Sequence, residues 1–439
     1  MNPSASTQTL GVVGLGSMGW GAAVSALRRG ITTWGSDTRS DVLERFAAAG
    51  GHVASTPAEL AAHCDVVIIL VVNAAQTEDV LFGNGALAQH LKSGSVVVAS
   101  ATVDPSLPPQ WAAQLAERGI GFIDGPVSGG ARKAADGQMT IMASGSADAF
   151  AAAGELLDAI AGKVYRLGDQ PGIGSTVKMI NQHLAGVHIA AACEAMALGM
   201  RAGADPRQLY DVICNSAGMS WMFQNRVPHI LDGDYTPLSS VNIFVKDLGL
   251  VLDAARRLAF PLPLAAAAHQ LYLATAAAGH GGEDDAAVIK FYAAIAGLVY
   301  RLGDQPGIGS TVKMINQHLA GVHIAAACEA MALGMRAGAD PRQLYDVICN
   351  SAGMSWMFQN RVPHILDGDY TPLSSVNIFV KDLGLVLDAA RRLAFPLPLA
   401  AAAHQLYLAT AAAGHGGEDD AAVIKFYAAI AGLELPAAP

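Results

Sequence analysis

Cysteine is scarce: five residues in 439, at positions 64, 193, 214, 328 and 349, with no CxxC pair and no Cys/His group at zinc spacing. That excludes a disulfide framework and a structural zinc site, and leaves the thiols as small core hydrophobes in a reducing compartment. Charge is scarce too. Asp, Glu, Lys and Arg make up 15% of the chain, with 37 acids against 27 bases and a net charge of −10. No basic surplus is available to neutralise phosphates, so nucleic acid is not an expected partner. The 47 glycines and 20 prolines are too few and too irregular for a collagen or a linker-dominated chain. The opening MNPSASTQTLGVVGLG lacks a basic leader region and runs straight into a strand-like segment, so no signal peptide is expected. The longest apolar stretch, 177–200, carries Lys178, Asn181, Gln182, His183, His188 and Glu194. A bilayer core rejects that set, so no membrane span is expected and the location expected is cytoplasmic. What is abundant is hydrophobic residues, at 52%, enough for a large core.

The chain contains a copy of part of itself. Residues 164–298 (VYRLGDQPGIGSTVKM to KFYAAIAGL) recur without a difference as 299–433, offset by 135 positions. A duplication of any age drifts, so a recent event or deliberate engineering explains the identity. A period this long is a domain and not a solenoid unit. The expected organisation is a first domain over 1–163, a second over 164–298, its duplicate over 299–433 and a tail over 434–439.

Residues 1–163 alternate strand-like runs (10–14, 31–35, 65–72, 95–100, 121–124, 139–143) with amphipathic segments such as 18–29, 41–49 and 108–118. Apolar strands between helices predict a parallel α/β sheet covered on both faces, of the Rossmann type. Each copy opens with an edge-strand-like VYRLGD and is otherwise helical. A long helix is expected from about 175 to 201, stopped by Gly203. Asp205-Pro206 caps the next, and further helices are expected at 241–258, 262–277 and 284–296.

Gly14-Leu15-Gly16-Ser17-Met18-Gly19 is a GxGxxG between a predicted strand and a predicted helix, the context that dinucleotide binding requires. Gly14 permits the tight turn, Gly16 lets backbone approach a pyrophosphate, and Gly19 lets helix and strand pack closely. Asp37 ends the second strand, where a carboxylate accepts from a ribose diol and repels a 2′-phosphate. That favours NAD over NADP, and Arg39 two positions on blunts the preference. Asp124-Gly-Pro-Val-Ser128-Gly129-Gly130 reads either as a carboxylate cradle of hydroxyl and unobstructed N–H groups or as a surface turn. Lys178, Asn181 and Gln182 share one face of the long helix. A lysine near a helix start is electrostatically misplaced and suits a base, or else it snorkels beside two solvated amides. Lys246-Asp247 alone reads as a solvated charge pair.

In this order, GLGSMG, DGPVSGG, GxGxxxKxxN and KDL resemble the β-hydroxyacid dehydrogenases, the family of 3-hydroxyisobutyrate and 6-phosphogluconate dehydrogenases. The resemblance covers residues 8–298. The fuller wording PVSGGARKAADGQMTIMASGS and KMINQHLAGVHIAAACEAMALG is most similar to the L-threonate dehydrogenases. It implies a Rossmann domain followed by 6-phosphogluconate-dehydrogenase-like helical domains, and NAD-dependent oxidation of a small hydroxy acid, L-threonate being the closest fit. It implies Lys178 as acid/base and Ser128, Gly129, Gly130, Asn181 and Gln182 around the substrate. Gly14, Leu15, Gly16, Ser17, Met18, Asp37, Val72, Asn73, Thr102 and Lys246 (or its duplicate Lys381) would hold the cofactor. Gln182 departs from the commoner KxxNN pattern, which implies an altered substrate pocket. Alternatives are a semialdehyde or imine reductase on this scaffold, or a non-catalytic NAD-binding protein. Short members of the family dimerise through their helical domains, while long ones carry two in one chain. The duplicate is therefore expected to act as an intramolecular pseudo-dimer partner, with swapped oligomers as a further form.

Overall fold

The computed structural model describes residues 8–296 and 308–437, so the second VYRLGD lies outside the described residues. The chain forms two compact units, one ending at Met179 and the other beginning at Ile180.

The first unit is built on a nine-stranded sheet: β1 Leu10–Val13, β2 Thr33–Ser36, β3 His52–Val53, β4 Val66–Ile69, β5 Val96–Ala99, β6 Gly121–Asp124, β7 Val127–Ser128, β8 Met139–Gly145 and β9 Ala161–Arg166. Their order is β3-β2-β1-β4-β5-β6-β8-β7, with β9 paired to β8. From β3 to β6 every pairing is parallel, while β8 runs antiparallel to β6 and β7. Side chains alternate between two cores. Val12, Ile68 and Val98 face one, and Val13, Val67 and Val97 face the other. That is why LGVV, VVII and VVVA are apolar at every position. The VYRLGD segment expected at an edge supplies β9, which runs parallel to β8. A Cβ on Gly19 would lie 1.8 Å from the Gly14 carbonyl oxygen, so only glycine lets the helix Ser17–Arg28 seat on β1.

In the second unit each copy repeats the same helices. The long helix Ile173–Arg201 enters it, and Ile308–Arg336 is its duplicate. Both are long and apolar enough to cross a membrane, and both are buried within the fold along that stretch. Asp205 caps Pro206–Cys214 by accepting from the Gln208 N–H. Helices Val241–Arg257 and Pro263–Thr275 follow. The last expected helix is split, with a 3-10 turn at Asp285–Ala287 before Val288–Ala296. Helix Trp221–Asp232 was not foreseen, because Pro228 sits inside it and masks the pattern. Ser220 starts it with a side-chain cap, and Gly233 ends it in the left-handed conformation.

The two copies meet through reciprocal contacts. Ser220 and Ser355 form an antiparallel bridge, flanked by Trp221 N–H to Met354 C=O and Trp356 N–H to Met219 C=O, both 3.0 Å. Glu194 accepts from the Leu399 and Ala400 N–H groups at a helix start, and Glu329 does the same for Leu264 and Ala265. Tyr292 and Tyr427 donate to Glu194 and Glu329 at 2.7 and 2.6 Å. His183 and His318 each lie beside the other copy's glutamate, and the His188 and His323 rings are 4.4 Å apart.

These buried groups set a pH dependence. Burial holds the His318 and His323 imidazoles down at about 3, and pushes His188 well below its usual value. Stability they contribute above about 6.5, the unfolded histidine value, drains away as pH falls toward 3. Burial pushes Glu194 and Asp285 up to about 7 and Asp420 up to about 6. The folded state therefore keeps their protons longer, and that contribution is lost as pH rises from about 4 through 7. The two trends oppose each other between about pH 4.5 and 6.5. Below that the histidine loss is unopposed, and carboxyls held below their usual range, such as Asp37 and Glu283, add theirs, so a pH series of thermal unfolding is expected to fall most steeply under about pH 4.

Candidate active site

The parallel order reverses between β1 and β4, and the crevice beyond the C-terminal strand ends at such a point is where α/β sheets take ligands. The glycine motif lies on that edge. Gly14 has φ +89°, and a Cβ there would meet the Leu70 carbonyl oxygen at 2.8 Å. Gly16 is the opposite case: a Cβ would meet nothing within 4 Å, leaving its backbone open to a diphosphate. Ser17 and Met18 begin the helix behind it, whose early N–H groups favour an anion.

Asp37 follows β2 directly. Its Oδ2 accepts from the Leu15 N–H at 2.8 Å, which ties it to the glycine turn. Arg39 grips it with Nε at 3.0 Å from Oδ1 and an Nη2 at 3.1 Å from Oδ2. Partial burial works to raise the carboxyl, but the Arg39 guanidinium and the two N–H donors outweigh it and hold Asp37 below the usual range. This bidentate grip is closer than spacing alone suggested. Val72 is exposed, and Asn73 caps helix Ala74–Phe82 by accepting from the Gln76 N–H. Thr102 is half-buried in the loop after β5, two positions from Ser100, whose buried hydroxyl has no hydrogen-bond partner among the described residues. These features fit a bound dinucleotide: a bare backbone at Gly16, a tight turn at Gly14 and a fixed carboxylate at the end of β2.

Ser128 ends β7, paired to Thr140, and is buried. Gly129 and Gly130 follow at φ +124° and +75°, where side chains are strained, and a Cβ on Gly130 would meet open space. Sequence reading passed over Asp124, four positions before Ser128. It is 1% exposed at the end of β6, and its Oδ2 accepts from the Gly172 and Ser175 N–H groups at 2.9 and 2.8 Å. Its Oδ1 accepts from the Ser175 hydroxyl at 2.6 Å, and the Gly174 N–H donates to the Ser144 hydroxyl at 3.0 Å. Burial pushes Asp124 up to about 6, against the pull of these donors. The missed signal was the pairing of the Asp that opens DGPVSGG with the GxGS that opens the long helix.

The long helix begins at Ile173, two residues earlier than expected, so Lys178 sits in its second turn. Its side chain is buried. In the second unit the helix continues with Asn181 and Gln182. Asn181 is fully buried; its Oδ1 accepts from the Gly353 N–H of the second copy, and its Nδ2 donates to Gln182 Oε1. Gln182 donates to Asp247, which also pairs with Lys246. The duplicate keeps this chain more openly. Lys313 is exposed and donates to Gln317, and Lys381 is 66% exposed beside Asp382.

Residues 9–168 match the NAD-binding domain of 6-phosphogluconate dehydrogenase. Residues 172–292 and again 307–427 match the NAD-binding domain of NADP-dependent 3-hydroxyisobutyrate dehydrogenase. The L-threonate dehydrogenase of Cupriavidus necator is 60% identical over 289 residues, covering 66% of this chain and 97% of that protein. That of Escherichia coli is 53% identical over 287 residues, covering 65% and 95%. The crystal structure of 3-hydroxyisobutyrate dehydrogenase from Salmonella typhimurium, 52% identical, aligns at a TM-score of 0.62 over 65% of this chain and 100% of its own. Plasmodium falciparum 6-phosphogluconate dehydrogenase covers 91% of the chain at a TM-score of 0.67 and 13% identity, a likeness of fold. With its nucleotide fold and both helical segments matched, the chain is a hydroxyacid dehydrogenase and belongs to the 3-hydroxyisobutyrate dehydrogenase family.

Proposed function

We propose that the protein oxidises L-threonate to a 2-oxo acid with NAD⁺, and that Lys178 is its acid/base. Two supports carry the substrate: relatives named L-threonate dehydrogenase at 51–60% identity, and a glutamine at position 182. The observation that carries the chemistry is the buried lysine on a helix start clamped to β6, in the same unit as the glycine turn and the Ser128–Gly130 loop. The Ser128 hydroxyl and the N–H groups of Gly129 and Gly130 receive the substrate carboxylate. Lys178 takes the hydroxyl proton and then, as an ammonium, stabilises the oxygen as it becomes a carbonyl. Bound nicotinamide supplies the hydride acceptor. A part for Asn181 and Gln182 in substrate binding rests on family resemblance. Leu15, Gly16, Ser17 and Met18 hold the diphosphate, with Val72, Asn73 and Thr102 at the neighbouring strand ends. The part of Lys246, or of Lys381, rests on family resemblance, and separate alanine substitutions decide between them. The enzyme works in the cytoplasm.

A screen of three- to six-carbon hydroxy acids with NAD⁺ and NADP⁺, followed at the reduced-nicotinamide absorbance, tests the reading. Highest kcat/KM on L-threonate with NAD⁺ is expected; turnover only with a semialdehyde or an imine would overturn it. Asp37→Ser is expected to weaken NAD⁺ binding on the order of tenfold, by loss of a charged hydrogen bond to the ribose, and to raise the NADP⁺/NAD⁺ affinity ratio. Calorimetric titration of both cofactors reads this.

The duplicate serves as an intramolecular pseudo-dimer partner for the first copy, so the working species is a single chain with one site. Light scattering is expected to give a mass near 45.1 kDa. A stable species of twice that mass would contradict self-sufficiency.

A further inference from the structure

We propose that Asp124 is a positioning residue that sets Lys178 against the Ser128–Gly130 cradle; the inference rests on Lys178 being the acid/base. A helix start leaves N–H groups unsatisfied, and capping normally comes from a neighbour in sequence. Here it comes from the sheet, about fifty positions away. One carboxylate holds the Gly172 and Ser175 N–H groups and the Ser175 hydroxyl, and Ser144 on β8 holds the Gly174 N–H. The seat is tight. A Cβ on Gly174 would lie 2.4 Å from the Met142 carbonyl oxygen and 2.6 Å from that of Asp124. Gly174 and Ser175 are four and three residues before Lys178, on its own face of the helix. Their fixation sets both the rotation of the helix and the depth at which the lysine emerges.

The same residue fixes the other half of the site. Asp124 closes β6, in register with Ala99 and Ser144, and the chain reaches Ser128 four residues later. Cradle and lysine thus hang from one anchored residue, and neither moves without the other. Proton transfer tolerates little misplacement, since a shift of about 1 Å can cost on the order of a hundredfold in rate.

Asp124→Ala is expected to lower kcat about 10- to 100-fold while the Kd for NAD⁺ stays within about twofold. Asp124→Asn keeps an oxygen for the two N–H donors and is expected to restore most of that loss. Added to Lys178→Ala, Asp124→Ala should cost much less kcat than it does alone, because the part that acts through the amine is already lost and only the part that acts through the cradle remains. A merely structural residue would lower turnover equally in both backgrounds. Three results overturn the inference: parental kcat in folded Asp124→Ala, no rescue by Asn, or an undiminished loss on the Lys178→Ala background. If Asp124→Ala does not fold, Ser175→Ala removes only the hydroxyl donor and is expected to cost several-fold in kcat, with unchanged kcat counting against the proposal. Parental turnover in Lys178→Ala alone would end the acid/base assignment and this inference together. An inactive Lys178→Ala beside a fully active Asp124→Ala ends this inference alone.

Discussion

Lys178→Ala is expected to lower turnover by about 10²–10⁴-fold, while Lys313→Ala is expected to leave it unchanged. The two lysines occupy identical sequence, so only their surroundings separate them. Lys178 is buried on a helix whose start is pinned by Asp124 and Ser144. Lys313 is exposed and spends its ammonium on Gln317 at 2.6 Å. The match that carries the glycine motif, residues 9–168, comes immediately before the segment of Lys178, whereas the segment of Lys313 follows another helical match, 172–292. Affinity for the cofactor is expected to stay near parental in Lys178→Ala, because the glycine turn and Asp37 are untouched. Steady-state kinetics with cofactor titration checks both arms. Equal losses from the two substitutions would mean that both copies carry proton transfer.

Arg226→Ala is expected to destabilise the helical unit by about 3–5 kcal/mol, and Arg361→Ala by a similar amount. Arg226 Nε lies 2.6 Å from Asp285, with Asp284 at 3.7 Å, and all three side chains are buried. Arg361 repeats the arrangement with Asp420 and Asp419. Removing either guanidinium strands a carboxylate that burial already pushes up, to about 7 at Asp285 and about 6 at Asp420. Part of each loss should therefore be recovered at lower pH, where the stranded acid takes a proton. Chemical denaturation at neutral and mildly acid pH measures both effects. A cost under about 1 kcal/mol at either position would show that the pair is solvent-relaxed.

The sheet was legible because its central strands LGVV, VVII and VVVA are apolar at every position and the glycine motif falls between the first of them and a helix. VVII and VVVA can be neither surface helices nor edge strands. The long helix was legible from its unbroken apolar run, yet its start was not, because what caps it is a carboxylate from β6. That contact exists only after folding, and no local pattern announces Asp124 as a partner for Ser175. Helix Trp221–Asp232 was hidden by Pro228 for the opposite reason: tertiary packing overrides a strong local breaker. Asn181 and Gln182 were visible as amides on one face. Their linkage to Gly353 and Asp247 depends on how the two copies meet, which identity of sequence does not dictate. The Arg39 grip on Asp37 could be read as proximity and not as bidentate geometry.

The mirrored bonds Asn181–Gly353 and Asn316–Gly218 have a consequence for how this protein can change. In an association of separate identical chains, every amino-acid replacement strikes both sides of the seam at once. Here one side can be altered while its twin keeps the original wording. Covalent linkage also makes the seam indifferent to dilution, since the halves face each other at a local concentration that short tethers raise to the millimolar range. Asymmetry thereby becomes open to selection: one half can specialise toward chemistry and the other toward support.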